Sequence, residues 1–193
     1  MGKRQENKRR NKQEIIEAAT QLFIDKGVNN TTIDDIVKGT NLARGTFYNY
    51  FKSKAEIWDY LIANTFEDMN LEVNIERKKA KTMHEFLYNS YFRAFTLLSK
   101  PPLPALIAKN QVAFRETLFK NSEIFNLTAD MEADLRNSPL FAGFPEHYYK
   151  MMPYSMVGAG LEMVIQKHLN QDDFTVEEMT EYITKVFEDG LSR

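Results

Sequence analysis

The chain reads as all-α, and three observations lead there. Apolar residues recur at i, i+3 and i+4 along most of its length, while period-two apolar runs bounded by turns are scarce. A hydroxyl residue stands three positions ahead of a carboxylate at four places where a helix would start: Thr32/Asp35, Ser53/Glu56, Thr82/Glu85 and Thr175/Glu178. Proline and glycine fall between the periodic segments more often than inside them. With 193 residues and 43% hydrophobic content, the chain can bury the core of one large domain or of a small domain joined to a larger one.

The first helix is expected from about Lys8 to Lys26, with Ile15, Ala19, Leu22 and Phe23 on one face and Gly27 at the stop position. Thr32 then caps a short second helix, Ile33 to Gly39, which turns Ile36 and Val37 inward. After a turn at Thr40 to Leu42, a third helix runs from Ala43 to about Tyr50. Ser53 and Glu56 open a fourth, Lys54 to about Lys79, roughly 40 Å long at 1.5 Å per residue. Its last turn carries Arg77, Lys78 and Lys79, which suit the negative end of a helix dipole. Thr82 opens the fifth helix, and the KPPLP run, Lys100 to Pro104, separates it from a sixth spanning Ala105 to Lys120. Ser122 caps a seventh that reaches Arg136, and Asn137 to Pro145 forms an ordered loop. Two long helices close the chain, Glu146 to Leu169 and Val176 to about Glu188, joined by the turn NQDD and so antiparallel. About nine helices result. The expected division is a basic arm and helix-turn-helix domain, 1–52, followed by a larger helical domain, 53–193.

Charge is uneven along the chain. Residues 1 to 60 carry 11 Lys+Arg against 8 Asp+Glu, and the remainder carries 14 against 19, although the whole is only −2. The surplus is concentrated in Lys3, Arg4, Lys8, Arg9, Arg10 and Lys12, opposed by Glu6 alone, and a basic arm ahead of a compact segment points to a polyanion. A solvated tail that only aids solubility is the plainer account of the same residues. No run of about 18 apolar residues is present to span a bilayer, and no apolar stretch of the signal-peptide kind follows the N-terminus. A cytoplasmic location is expected, with no membrane partner. The chain has no cysteine, which excludes disulfides, thiolate metal sites and thiol catalysis.

The segment LARGTFYNYFKSK, Leu42 to Lys54, crowds cations, aromatics and a Gly-Thr pair into thirteen positions. Three short helices with a three- to four-residue turn before the last form a helix-turn-helix arrangement, in which that last helix enters the major groove. On a helix beginning at Ala43, Phe47 and Tyr50 or Phe51 turn inward. Arg44, Thr46, Tyr48 and Asn49 then lie on the outer or leading surface. Arg44 can read guanine or pair with phosphate, Gly45 lets the backbone approach closely, Thr46 can donate to phosphate or touch a thymine methyl, and Tyr48 offers its hydroxyl to phosphate. Lys54 adds a phosphate contact at the start of the fourth helix. A tightly packed helical corner would account for Phe47 and Phe51 but leaves Arg44, Thr46, Tyr48 and Lys54 unexplained together.

The stretch TTIDDIVKGTNLARGTFYNYFKSKAEIWDYLI, Thr31 to Ile62, resembles the N-terminal domain of TetR-family transcriptional regulators. The residues that carry the resemblance are Thr32, the Arg44-Gly45-Thr46 step, the Tyr48-Asn49-Tyr50-Phe51 block, and Lys54 followed by Ile57. It extends over about residues 8 to 62. Asn41 stands where a glycine is usual, and Ala43 where a small hydroxyl residue is usual. The resemblance implies double-stranded operator DNA as partner, with Thr31, Thr32, Asn49 and Lys52 joining the contact set. It also implies a homodimer on a near-palindrome, usually as a repressor. The basic arm is longer than the family pattern requires and can reach an adjacent minor groove.

The resemblance further implies that a small-molecule effector fills a pocket in the C-terminal domain and releases the DNA. Six of the nine methionines lie in the last third of the chain beside aromatics, which suits an adaptable apolar site as well as an ordinary core. The candidate lining is Phe66, Met69, Tyr91, Phe95, Asn110 and Phe114 from the middle of the chain. Met131, Tyr148, Met152, Met156 and Glu162 complete it. The last two helices would supply the dimer contacts Val157, Leu161, Val164, Ile183 and Phe187, with Gly158 and Gly160 permitting close approach.

A catalytic reading finds no support in the sequence. His84, His147 and His168 lie on different expected helices without metal-ligand spacing, and no nucleophile elbow or phosphate-binding glycine loop occurs. Neither a metal nor a cofactor is expected. The alternative within DNA binding is a structural, nucleoid-associated protein that answers to a protein partner rather than a small molecule.

Overall fold

The structure is a computed structural model and describes residues 2–119 and 127–191. The described residues form ten α-helices and one 3-10 turn, with no strand among them. The helices are α1 (Lys3–Asp25), α2 (Ile33–Lys38), α3 (Arg44–Phe47), α4 (Lys54–Lys79), α5 (Met83–Leu98), α6 (Leu103–Lys109), α7 (Gln111–Phe119), α8 (Leu127–Asn137), α9 (Glu146–Asn170) and α10 (Val176–Leu191). The expected cap at Ser122 lies outside the described residues.

Three elements differ from expectation. The basic arm is helical, because α1 begins at Lys3 and not near Lys8; it is therefore not an extended strand of the kind that enters a minor groove. The recognition segment is shorter than Ala43 to Tyr50. Its regular helix covers Arg44–Phe47 and continues as a turn in which the amides of Asn49 and Tyr50 donate three residues back, to Thr46 and Phe47. Gly45 and the run Tyr48-Asn49-Tyr50 are weak helix formers, which favours tightening into that turn. Finally, the single helix expected from Ala105 to Lys120 is two, α6 and α7, parted at Asn110.

Two compact units result. One comprises Met1–Asn64 together with Ala105–Thr117, the other Thr65–Pro104 together with Leu118–Arg193. The division between these compact units falls inside α4, and a segment from the middle of the chain belongs with the helix-turn-helix.

Asn110 explains why that segment belongs there. Its Oδ1 accepts from the Val28 amide at 2.7 Å, and its Nδ2 donates to the carbonyls of Phe23 at 2.9 Å and Leu106 at 2.8 Å. Asn110, expected in the effector set, is buried with these polar atoms bonded to the backbone of the first unit. Phe114, also expected in the effector set, is buried in this same unit. The core around them joins Ile15, Ala19 and Phe23 of α1, Ile36 of α2, Phe47, Phe51, and Ile57, Trp58 and Ile62 of α4. Phe23 meets Trp58 edge-on with ring centroids 6.1 Å apart, and the indole N–H donates to Thr117 at 3.0 Å. Each large apolar side chain so buried contributes about 1.5–3 kcal/mol.

In the second unit α5 packs on α10 and α9, and α8 packs on α9. Tyr91 of α5 is buried and donates its hydroxyl to the Met156 carbonyl at 3.0 Å; burial pushes its phenol well above the ordinary value. A Cβ at Gly160 would lie 3.2 Å from the Tyr91 ring, so the absent side chain is what admits α5 to α9. The expected loop at 137–145 contains the 3-10 turn Pro139–Phe141. Phe141 is buried against Phe86 at 4.9 Å, and its carbonyl accepts from the Tyr149 hydroxyl at 2.6 Å. A polar ladder links α4 to α8. Asn70 donates to Asp130 at 2.7 Å, and buried Arg77 pairs with Asp134 at 2.8 Å. Burial pushes the Arg77 guanidinium down from its ordinary value, and Asp134 and Asp130 oppose that shift.

Leu161, Val164 and Ile183, expected at a dimer interface, are buried inside this unit. Val157 and Phe187 are half-buried, and the Phe187 ring stacks on Tyr91 at 6.1 Å. The large apolar side chains that α9 and α10 do expose are Tyr148, Met151, Tyr154, Leu169, Tyr182 and Val186.

Replacing Asn110 by alanine would strip the partner from a buried amide and the donor from two buried carbonyls, each unsatisfied group costing about 1–3 kcal/mol. The Asn110→Ala protein should therefore unfold at a lower urea midpoint, with a loss of about 2–4 kcal/mol relative to wild type.

Candidate nucleic-acid interface

The helix-turn-helix is assembled from local caps and three long-range ties. Thr32 and Asp35 form a complete capping box: the Asp35 amide donates to Thr32 Oγ1 at 3.1 Å, and the Thr32 amide donates to Asp35 Oδ2 at 2.9 Å. Lys26 pairs with the same carboxylate at 2.6 Å. Lys26 first, then Thr32, hold the Asp35 carboxyl well below the usual carboxylate range. Ahead of the recognition segment, Glu14 of α1 accepts from both the amide and the side-chain amide of Asn41, at 2.6 and 3.1 Å. Lys12 extends over the Tyr60 ring, 3.8 Å from its centre, and so leaves the arm to pack on an aromatic.

Against this frame the expected DNA-contacting residues separate into two groups. Thr31 is buried and donates its hydroxyl to the Gly27 carbonyl at 2.8 Å, so it is a turn residue with no surface to offer. The Thr32 hydroxyl is exposed but occupied by its cap, donating to Asp35 at 2.6 Å. Lys54 donates to the carbonyls of Asn29 and Thr31 at 2.9 and 2.7 Å. Its ammonium thus ties the start of α4 to the α1–α2 turn, a structural task where a phosphate contact was expected. The second group stays on the surface. Arg44, Gly45, Tyr48, Asn49 and Lys52 are exposed and Thr46 is half-exposed, while Phe47 and Phe51 are buried beneath them. A Cβ at Gly45 would meet nothing within 4 Å, so this backbone is open to close approach.

Arg44 and Tyr48 are coupled. Tyr48, one turn ahead, and Asp34, 2.9 Å away, push the Arg44 guanidinium further up from its ordinary value. Tyr48 is 47% exposed, with its ring edge-on to Phe47 at 5.4 Å. The buried phenylalanine thereby fixes where the tyrosine hydroxyl points. The arrangement is a short helix on an apolar bed, presenting a cation, a bare backbone, hydroxyls and an amide.

Residues 15–61 match the profile of bacterial regulatory proteins of the tetR family. The chain carries a TetR-family DNA-binding domain. The chain is also similar to the biofilm operon icaADBC negative transcriptional regulator IcaR of Staphylococcus aureus, 29% identical over 102 residues, or 47% of this chain and 55% of IcaR. The chain spans about half the length of the curated relatives it matches. In fold it is similar to the fatty acid degradation regulator FadR of Bacillus halodurans, with a TM-score of 0.70 at 16% identity over 91% of this chain and 93% of that one. It is also similar to FadR of Bacillus subtilis in complex with stearoyl-CoA, with a TM-score of 0.61 at 17% identity over 90% and 96%. Asp34, Glu14 and the Asn41 side chain take their roles from partners that only the fold brings within reach.

Of the remaining expected effector residues, Phe66, Met69, Tyr91, Phe95, Met131, Met152 and Met156 are buried in the second unit. Tyr148 is exposed and stacks on Phe144, and Glu162 is half-buried and accepts from Gln166 at 2.7 Å. The histidines are exposed and separate; His84 pairs with Glu188 at 2.9 Å. No group of side chains suited to a metal ion occurs among the described residues, and no helix there is long and apolar enough to cross a membrane.

Two outcomes follow from these ties. Lys54→Met should lower the stability of the protein by about 1–2 kcal/mol, since two carbonyls lose a charged donor, and a urea titration measures this without DNA. Because the Asp35 carboxyl is depressed in the folded state, its contribution is complete above the unfolded-state value near pH 4 and is lost as pH falls through the folded value. The melting temperature of Asp35→Asn should accordingly lie below wild type at pH 7, and the gap should shrink below about pH 4.

Proposed function

We propose that the protein is a sequence-specific DNA-binding repressor that works as a homodimer and leaves its operator when an apolar or amphipathic effector binds. The observation that carries the DNA-binding reading is the surface set of exposed Arg44, Gly45, Tyr48 and Asn49 with half-exposed Thr46, seated on buried Phe47 and Phe51 within a domain that matches the TetR family. Helices of this kind place their leading residues on base edges in the major groove, and two copies reach half-sites about 34–36 Å apart. The exposed residues of α1 from Lys3 to Arg10 add cationic reach along the flanking phosphates.

Dimerisation is supported by α9 and α10, which leave Met151, Tyr154, Tyr182 and Val186 exposed. At Gly158 and Gly190 a Cβ would meet nothing within 4 Å, so these sites leave room for a second helix. Effector binding is supported by the methionine and aromatic content of the second unit, which suits a flexible apolar chain. FadR of Bacillus subtilis, similar in fold, is in complex with stearoyl-CoA. A long acyl chain is therefore the first effector class to test. Such a ligand releases DNA only if it binds the DNA-incompetent state more tightly. The helix α4, which starts four residues after Tyr50 and continues into the second unit, is the element through which that preference would reach the recognition segment.

The test is selection of random duplexes by the purified protein, then titration of the winner with acyl-CoAs of graded length. An enriched palindrome, bound at least about a hundredfold more tightly than random DNA and released by a long-chain but not a short-chain ligand, is the expected result. Selection of a palindrome that no acyl ligand releases would instead favour control by a protein partner.

A further inference from the structure

Asp34 has no task in the fold that its neighbour does not already perform. Asp35 caps α2 and pairs with Lys26, whereas Asp34, one position earlier, points to solvent at 57% exposure and pairs across the turn with Arg44, itself 60% exposed. A carboxylate is an odd neighbour for a guanidinium meant to hold phosphate. It neutralises the cation locally and repels the phosphate oxygens that the cation should attract. For a guanidinium meant to read a base edge the same carboxylate is an asset. Arginine loses considerable rotamer freedom on docking, and a fixed partner removes part of that loss beforehand.

The donor inventory agrees. Guanidinium has five N–H donors in a planar fork. One faces Asp34 at 2.9 Å, so the side chain is tied across the turn to α2. The remaining donors can address the O6 and N7 acceptors of guanine, the pair that arginine reads in the major groove. We propose that Asp34 is a specificity-determining positioning residue: it holds Arg44 as a reader of guanine and withholds it from the phosphate backbone. This rests on the DNA-binding reading above and adds to it a residue and a base.

The experiment repeats the duplex selection with wild type, Asp34→Asn and Arg44→Ala, each checked for an unchanged thermal melt. It then measures the winner and its single-base variants across a salt series. Arg44→Ala should erase the preference for guanine at one position of the half-site. Asp34→Asn should weaken discrimination at that same position by roughly tenfold and leave the other positions alone. It should also bind random DNA more tightly, with a log affinity to log salt slope steeper by up to about 0.9, as the released guanidinium finds a phosphate. A purely structural role for Asp34 would shift affinity at every position together, and that result overturns the proposal. An Asp34→Asn motif identical to wild type overturns it as well, as does loss of preference at a position that Arg44→Ala retains, because Asp34 would then read a base itself. If wild type enriches no sequence, the repressor reading fails along with this one; if wild type yields a motif that Asp34→Asn leaves unchanged, only this one fails.

Discussion

The turn between α1 and α2 carries its backbone through partly buried ground, and each polar group there has to find a partner away from water. Gly27 makes the turn possible with φ at +86°, a conformation in which a side chain would be strained. The Val28 amide then goes to Asn110, the Gly27 carbonyl to the Thr31 hydroxyl, and the carbonyls of Asn29 and Thr31 to Lys54. Three parts of the chain remote in sequence thus meet at one turn. The direction in which α2 leaves, and with it the position of the recognition segment, depends on those bonds.

The same accounting separates residues that hold the surface from residues that form it. Polar side chains near the turn are consumed by the fold, including two that composition alone would assign to phosphate. What remains available is confined to α3 and the turn that follows it, where buried Phe47 and Phe51 set the orientation of everything above them. A recognition helix of one regular turn has little rigidity of its own. Its precision comes from its aromatic bed, from Glu14 gripping Asn41 behind it, and from the Asp34 contact on Arg44.

Much of this was legible in the sequence wherever the signal was local. The capping pairs Thr32/Asp35 and Thr175/Glu178 close as reciprocal boxes, and the bounds of α4 fall where Ser53 and the terminal lysines put them. At Ser53/Glu56 and Thr82/Glu85 the hydroxyl accepts as expected, but the carboxylate reaches the amide one residue earlier, that of Lys52 or Lys81. What could not be read depends on partners far away. Asn110 sits in an apolar periodic segment that looks like one helix, and its reason for breaking that helix lies 82 residues back at Val28. Lys54 looks like a surface cation until the carbonyls within its reach are known. Leu161, Val164 and Ile183 carry the apolar character of an interface and of a core alike, and only packing against the rest of the second unit distinguishes the two.

The ladder between α4 and α8 bears on how an eleven-residue helix finds a single seat. Asn70 and Arg77 lie seven positions apart on α4, and Asp130 and Asp134 four apart on α8. Oily contacts tolerate a helix sliding by one turn, since one leucine serves nearly as well as the next. A guanidinium buried away from water does not: displaced from its carboxylate, it would remain charged in a place unable to solvate it. The pair therefore acts less as glue than as a key, admitting α8 in one register along α4 and rejecting those a turn to either side.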